Sequence, residues 1–165
     1  MKRTASGTPI PQELISFLGS GVSVMVGTRS AALVPELVRA WGPCVSRDGR
    51  IISVSVAMAG SARTLDNLRD NGRIAATFAF PLNARAVQLW GRCTATRRAH
   101  VRDLSEVRKH REAFLAMNEK IGVPRPFVEA LWQRELGGSP EMMTIRFVAE
   151  QFFNQTPGPG AGSPL

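Results

Sequence analysis

Cysteine, histidine and lysine are scarce in this 165-residue sequence. Cysteine occurs only at Cys44 and Cys93, without CxxC spacing. That excludes a disulfide-built scaffold and fits a cytoplasmic, reducing setting with two buried thiols. Two distant histidines, His100 and His110, supply too few further ligands for a zinc site. No stretch of about 18 apolar residues exists, so no membrane-spanning helix is expected. The first residues, MKRTASGTPIPQEL, place no apolar run after their basic pair, unlike a secretory signal. A GxxxxGK phosphate loop and a GxGxxG turn are both absent. No pair of carboxylates stands out as acid and base, and no Ser-His-Asp order is compelling.

What remains is an ordinary soluble composition, 44% hydrophobic and 21% charged, at a length that makes one domain with its own core. The net charge is +8, carried by 18 arginines against three lysines. Such a balance favours phosphate ligands, nucleic acid or anionic surfaces, or reflects a plain bias towards arginine.

The apolar pattern predicts mostly short strands. Residues 1–10 are polar and expected to be flexible. PQELISFL (11–18) reads as a short helix with Leu14, Phe17 and Leu18 on one face. Strands follow over 22–28 and 31–41, the second containing Pro35, which suggests an edge or bulge there. A short strand near Cys44–Ser46 leads through Asp48-Gly49, a hairpin signal, into Ile51–Met58. In that strand Ile52, Val54, Val56 and Met58 alternate with Ile51, Ser53, Ser55 and Ala57. A helix over SARTLDNLRDNG is expected to be capped by Ser61 or Thr64, to bury Leu65 and Leu68, and to stop at Asn71-Gly72. Two strands, 73–80 and 84–96, come next. A helix over 103–120 ends at Gly122, and another runs from Pro126 to about Leu136 with Gly137-Gly138 as its stop. A last strand spans 142–153. The tail, TPGPGAGSPL, reads as an extended arm. Strands without alternating βαβ units point to an antiparallel barrel: one domain over 11–155, flanked by a flexible start and a Gly/Pro tail over 156–165.

Three stretches hold candidate chemistry. In AGSART a strand runs into a helix. Helix amino termini attract phosphate through their unpaired N–H groups and dipole, and Ser61, Arg63 and Thr64 add donors. A plain N-cap has the same look. In PLNARAVQLWG, Arg85, Gln88, Trp90 and Arg92 form a strand face where Gln88 suits a heterocycle edge and Trp90 a stacking partner; a solvated barrel face reads the same. RRAHVRDLSEVRKHR (97–111) is a basic patch or a solvated helix face, with Glu106 four residues before His110.

Together these stretches resemble the pyridoxamine 5'-phosphate oxidase-like, FMN-binding split-barrel superfamily. The resemblance lies in ARTLDNLRDNGRIAATF, in FPLNARAVQLWGRCT and in the ending FFNQTPGPGAGSPL, and it runs from about Val22 to the tail. It implies a mainly β fold, a six-stranded antiparallel Greek-key split barrel, paired as a homodimer with FMN in two interface clefts. It implies the flavin phosphate near Ser61, Arg63 and Thr64, the flavin edge near Ala57 and Met58, and a ring-facing strand carrying Arg85 and Gln88. The pattern departs from the family in four places. The family's Arg-x-Val-Leu-Leu-Lys strand is not matched, since VPELVRAWG has Arg39 but no first Arg, and the oxidase's Gln-x-Arg is Ala86-x-Gln88 here. Arg63-Thr64 stands where the family has an Arg-Lys pair, and the oxidase's carboxy-terminal substrate residues are replaced by the Gly/Pro tail. The resemblance therefore implies a flavoprotein oxidoreductase other than a pyridoxamine phosphate oxidase, without a protein nucleophile or base. The alternative is a non-enzymatic barrel carrying haem or another flavin-like ligand, with His100 or His110 as axial ligand. Nucleic acid is a third, weaker partner on the strength of the charge.

Overall fold

The computed structural model describes residues 7–136 and 141–165. Its elements run α1 (Gln12–Leu18), β1 (Ser23–Arg29), β2 (Pro35–Val45), β3 (Ile51–Ala57), α2 (Ala62–Asp70), β4 (Arg73–Ala79), β5 (Ala86–Arg98), α3 (Val101–Lys120), α4 (Arg125–Leu136) and β6 (Met142–Asn154). The six strands close a barrel in the order β1-β2-β3-β6-β5-β4, and every pairing is antiparallel. Two meanders, β1-β2-β3 and β4-β5-β6, therefore join edge to edge, which leaves neither with a free edge.

Strict alternation decides which side chains fill the barrel. Val24 and Val26, Ile52, Val54 and Val56, Ala76 and Phe78, Leu89, and Ile145, Phe147 and Ala149 are all inside and almost fully buried. Leu14, Phe17 and Leu18 of α1 and Leu65 and Leu68 of α2 join the same core. The helix α2 thus carries the chain from β3 to β4, which are consecutive in sequence but not neighbours in the sheet. A second, smaller core forms outside the barrel. There Trp41, Val107 and Met142 pack with Leu104, Phe114 and Trp132, fastening α3 and α4 onto β2. Trp41 meets Phe114 edge-on at 5.7 Å between ring centres.

Several boundaries differ from those read off the sequence. The two strands expected over 31–41 and near Cys44–Ser46 are one strand, β2. Its register shifts between Trp41 and Cys44, where Gly42 takes a positive φ of 61°. The bulge falls there, and Pro35 opens the strand. Residues 7–10 are not frayed. The Thr8 N–H donates to the Ala149 carbonyl (3.2 Å), the Ile10 N–H donates to the Gly49 carbonyl (2.8 Å), and the Ile10 side chain is buried. Nor is the tail extended: it folds back on β6, with the Asn154 N–H donating to Ser163 (2.9 Å) and the Leu165 N–H to Phe152 (3.0 Å). Residues 1–6 and the expected helix stop at Gly137-Gly138 lie outside the described residues. Among the described residues no helix is long and apolar enough to cross a membrane.

Candidate functional site

The strand registers line up residues that are far apart in sequence. On the outer face, Arg39 of β2 faces Met25 of β1, Met25 faces Thr77 of β4, Thr77 faces Gln88 of β5, and Gln88 faces Phe153 of β6. Arg39 and Gln88 are therefore three strands apart, about 14 Å at the usual inter-strand spacing. At one end of this row lies a recess of about 280 Å³ lined by Met25, Arg39, Ala57 and Ser61. The recess opens at the amino end of α2.

That end is built by a tight turn. Gly60 takes a φ of +83°, and a Cβ there would meet nothing within 4 Å, so the turn leaves open space beside it. Ser61 is the N-cap residue but makes no side-chain cap bond. The first-turn N–H groups of α2 have no intrahelical acceptors. Thr64 is fully buried and its Oγ1 has no hydrogen-bond partner, which is costly unless something satisfies it. Arg63 is 84% exposed, and among the described residues its only ion pair is a long one, 3.8 Å to Glu36.

At the other end, the Gln88 amide is fixed in place. Its Nε2 donates to Thr77 Oγ1 (2.9 Å), and its Oε1 accepts from Trp90 Nε1 (2.7 Å) and Gln155 Nε2 (3.4 Å). One amide N–H remains for another acceptor. Beside this row runs a second: Leu37, Gly27, Ala75, Trp90, Gln151. Leu37 is 63% exposed and Trp90 48%. The small Gly27 and Ala75 between them leave a trough of about 450 Å³, flanked by Arg29, Arg73 and Glu150.

Of the residues singled out in the sequence, the fold brings Ala57 and Ser61 to one recess, with Arg63 and Thr64 in the adjoining helical turn and Gln88 along the row. Met58 is turned elsewhere: its N–H donates to the Glu141 carbonyl (2.9 Å), and it lines a small recess with Leu104 and Met142. Arg85 is also drawn away. It pairs with Glu13 of α1 at 2.8 Å and sits over the Phe17 ring at 4.8 Å. Sequence reading did not assign Arg39 or Met25 to this site, because only the β1–β2 register sets them beside Ala57 and Ser61.

His110 does not lie on a solvated face. It is buried, its Nδ1 accepts the Gly42 N–H (3.2 Å), and its Nε2 donates to the Val22 carbonyl (2.7 Å). Burial lowers its pKa to about 4, against the opposing pull of the Val22 carbonyl. With both nitrogens engaged it has no lone pair left for an iron. His100 is exposed at the N-cap of α3. Both cysteines are half-buried and free, and burial is the main cause that raises each thiol pKa. Among the described residues no three metal-ligating side chains cluster.

No family model and no curated protein matches the chain. Solved structures do. HupZ from Group A Streptococcus is similar with a TM-score of 0.51 at 19% identity, over 93% of this chain and 99% of that one. A putative pyridoxamine 5'-phosphate oxidase from Lactobacillus delbrueckii aligns with a TM-score of 0.51 at 11% identity, over 92% and 97%. HutZ, a haem storage protein from Vibrio cholerae, aligns with a TM-score of 0.50 at 15% identity, over 89% and 95%. These likenesses establish the fold.

Proposed function

We propose that this chain, which has the split-barrel fold of the pyridoxamine 5'-phosphate oxidase-like proteins, is an FMN-binding oxidoreductase that works as a homodimer. The observation that carries the reading is the outer row from the α2 corner to Gln88. An anionic group has donors at one end, and a heterocycle has a fixed amide at the other. The residues present fit such a ligand. Ser61 lines the recess and its side chain makes no cap bond, and Thr64 Oγ1 lies unpartnered and buried in the adjoining helical turn. Arg39 lines the recess, so a second cation stands where Arg63-Thr64 alone looked one short.

FMN, when bound, supplies two-electron transfer through its isoalloxazine ring. The chain's own groups bind and orient. Arg63 and the first-turn N–H groups of α2 would hold the phosphate. The remaining Gln88 N–H would meet a ring acceptor, and the bonds to Thr77 and Trp90 fix its direction. No protein group need move a proton, in keeping with the lack of any catalytic pair. The tail folds back as Gly/Pro turns on β6, which favours a substrate other than pyridoxamine phosphate. The exposed Leu37 and Trp90 around the trough suit a second copy of the chain, which would exclude water from the ring.

A haem-storage role like that of HutZ finds less support. His110 is committed to Gly42 and Val22, which leaves only His100 of the two histidines.

Thermal unfolding with and without FMN tests the reading. Saturating FMN, at about 100 times its Kd, stabilises the fold by about 2.7 kcal/mol. Arg63→Gln weakens that effect without lowering the ligand-free Tm, because Arg63 is exposed. No shift at saturation refutes it.

A further inference from the structure

We propose that the cleft between α3 and the outer face of β2, β3 and β6 is a second anion site, for a small ligand with a multiply charged, phosphate-type group. The cleft measures about 340 Å³ and does not overlap the α2 corner. Its floor is a cross-strand row, Cys44, Ser53 and Arg146, set by the β2–β3 and β3–β6 registers. Its far wall is the first turns of α3, with Arg102, Asp103 and Glu106.

The charges there do not cancel. Asp103 is taken by Arg97 in a two-pronged pair (2.5 and 3.1 Å) and also accepts the His100 N–H. Burial acts to raise the Asp103 pKa, but these bonds and the Arg97 charge outweigh it, so Asp103 stays ionised and committed. Glu106 is taken by Lys109 at 2.8 Å. Among the described residues, Arg47, Arg102 and Arg146 have no carboxylate within ion-pair distance, yet all three line this cleft. Cys44, its pKa raised by burial and by Glu106, stays a neutral thiol and offsets none of that charge. Like charges gathered in a concave site focus a positive potential. A bound anion relieves their repulsion, and guanidinium forks match phosphate oxygens geometrically. Ser53 adds a hydroxyl on the floor. The cleft is the size of a single small ligand.

Calorimetric titration of inorganic pyrophosphate at constant ionic strength tests this. With the α2 corner filled by saturating FMN, the wild type is expected to bind one equivalent saturably. Arg146→Gln and Arg102→Gln each weaken binding about tenfold, roughly 1.4 kcal/mol. Arg63→Gln leaves it unchanged, which separates this site from the flavin phosphate. Arg102 is exposed, so its variant stays informative even if Arg146→Gln fails to fold. Three outcomes overturn the proposal. One is the absence of saturable binding. Another is loss in Arg63→Gln with Arg102→Gln unaffected. The third is steeply salt-dependent binding of a single-stranded oligonucleotide without saturable pyrophosphate binding, which would make the patch a nucleic-acid surface.

Discussion

At the scale of single residues, His110 and Gly42 form one device. The ring ties α3 to Gly42 and Val22, and the Gly42 backbone adopts a conformation that L side chains rarely take. A Cβ at Gly42 would also lie 2.7 Å from the Val107 nitrogen. Gly42→Ala is expected to cost at least about 2 kcal/mol, seen as a fall in Tm; an unchanged Tm contradicts the packing described. His110 makes the fold acid-sensitive. Its pKa is about 4 when folded, against about 6.5 when unfolded. Between those values the unfolded chain holds a proton that the folded chain does not. Stability is therefore complete above pH 6.5 and falls by about 3 kcal/mol as the pH drops to 4. Asp103, whose pKa is lowered in the fold, adds its own loss only as the pH falls further. Urea midpoints measured from pH 7 to 4 check this, and His110→Gln should flatten the slope. None of it was legible in the sequence. A histidine within RRAHVRDLSEVRKHR reads as solvated because its neighbours are charged, and only the packing of α3 on Trp41 turns that one side inward.

At the scale of elements, the strands were legible and the joints were not. Alternation in ISVSV and in AVQLWG sorted inward from outward residues correctly, because a barrel buries one face of every strand. The break at Trp41-Gly-Pro looked like a strand end, since a bulge uses the same residues as a turn. The helix α2 was placed correctly, with Leu65 and Leu68 buried and the stop at Asn71-Gly72. Its unusual feature is chemical: Thr64 spends no hydrogen bond. Thr64→Val should therefore raise ligand-free stability by about 1 kcal/mol in denaturant unfolding. A loss of that size would mean that the hydroxyl has an internal partner. The site row was only half legible. Ser61, Arg63 and Gln88 stand out by residue type, whereas Arg39 and Met25 join them through register. Arg85 stood out equally and was captured by Glu13, a contact 72 residues away in sequence.

At the scale of the whole molecule, one barrel presents two distinct basic features on its outer surface. The α2 corner lies against β1, β2 and β3, and the α3 cleft lies over β2, β3 and β6. The two proposed sites would give the +8 charge two small-anion destinations without invoking nucleic acid. The trough beside Trp90 is the face proposed to pair with a second copy of the chain. Trp90→Glu is expected to convert a dimer to a folded monomer in sedimentation at micromolar concentration; a wild-type monomer would contradict the paired arrangement. The most direct test of the account compares FMN with riboflavin, which lacks the phosphate, in one calorimetric titration. The α2 corner predicts that FMN binds at least about tenfold more tightly, a difference of roughly 1.4 kcal/mol or more. Equal affinity, or no binding of either flavin, would contradict it.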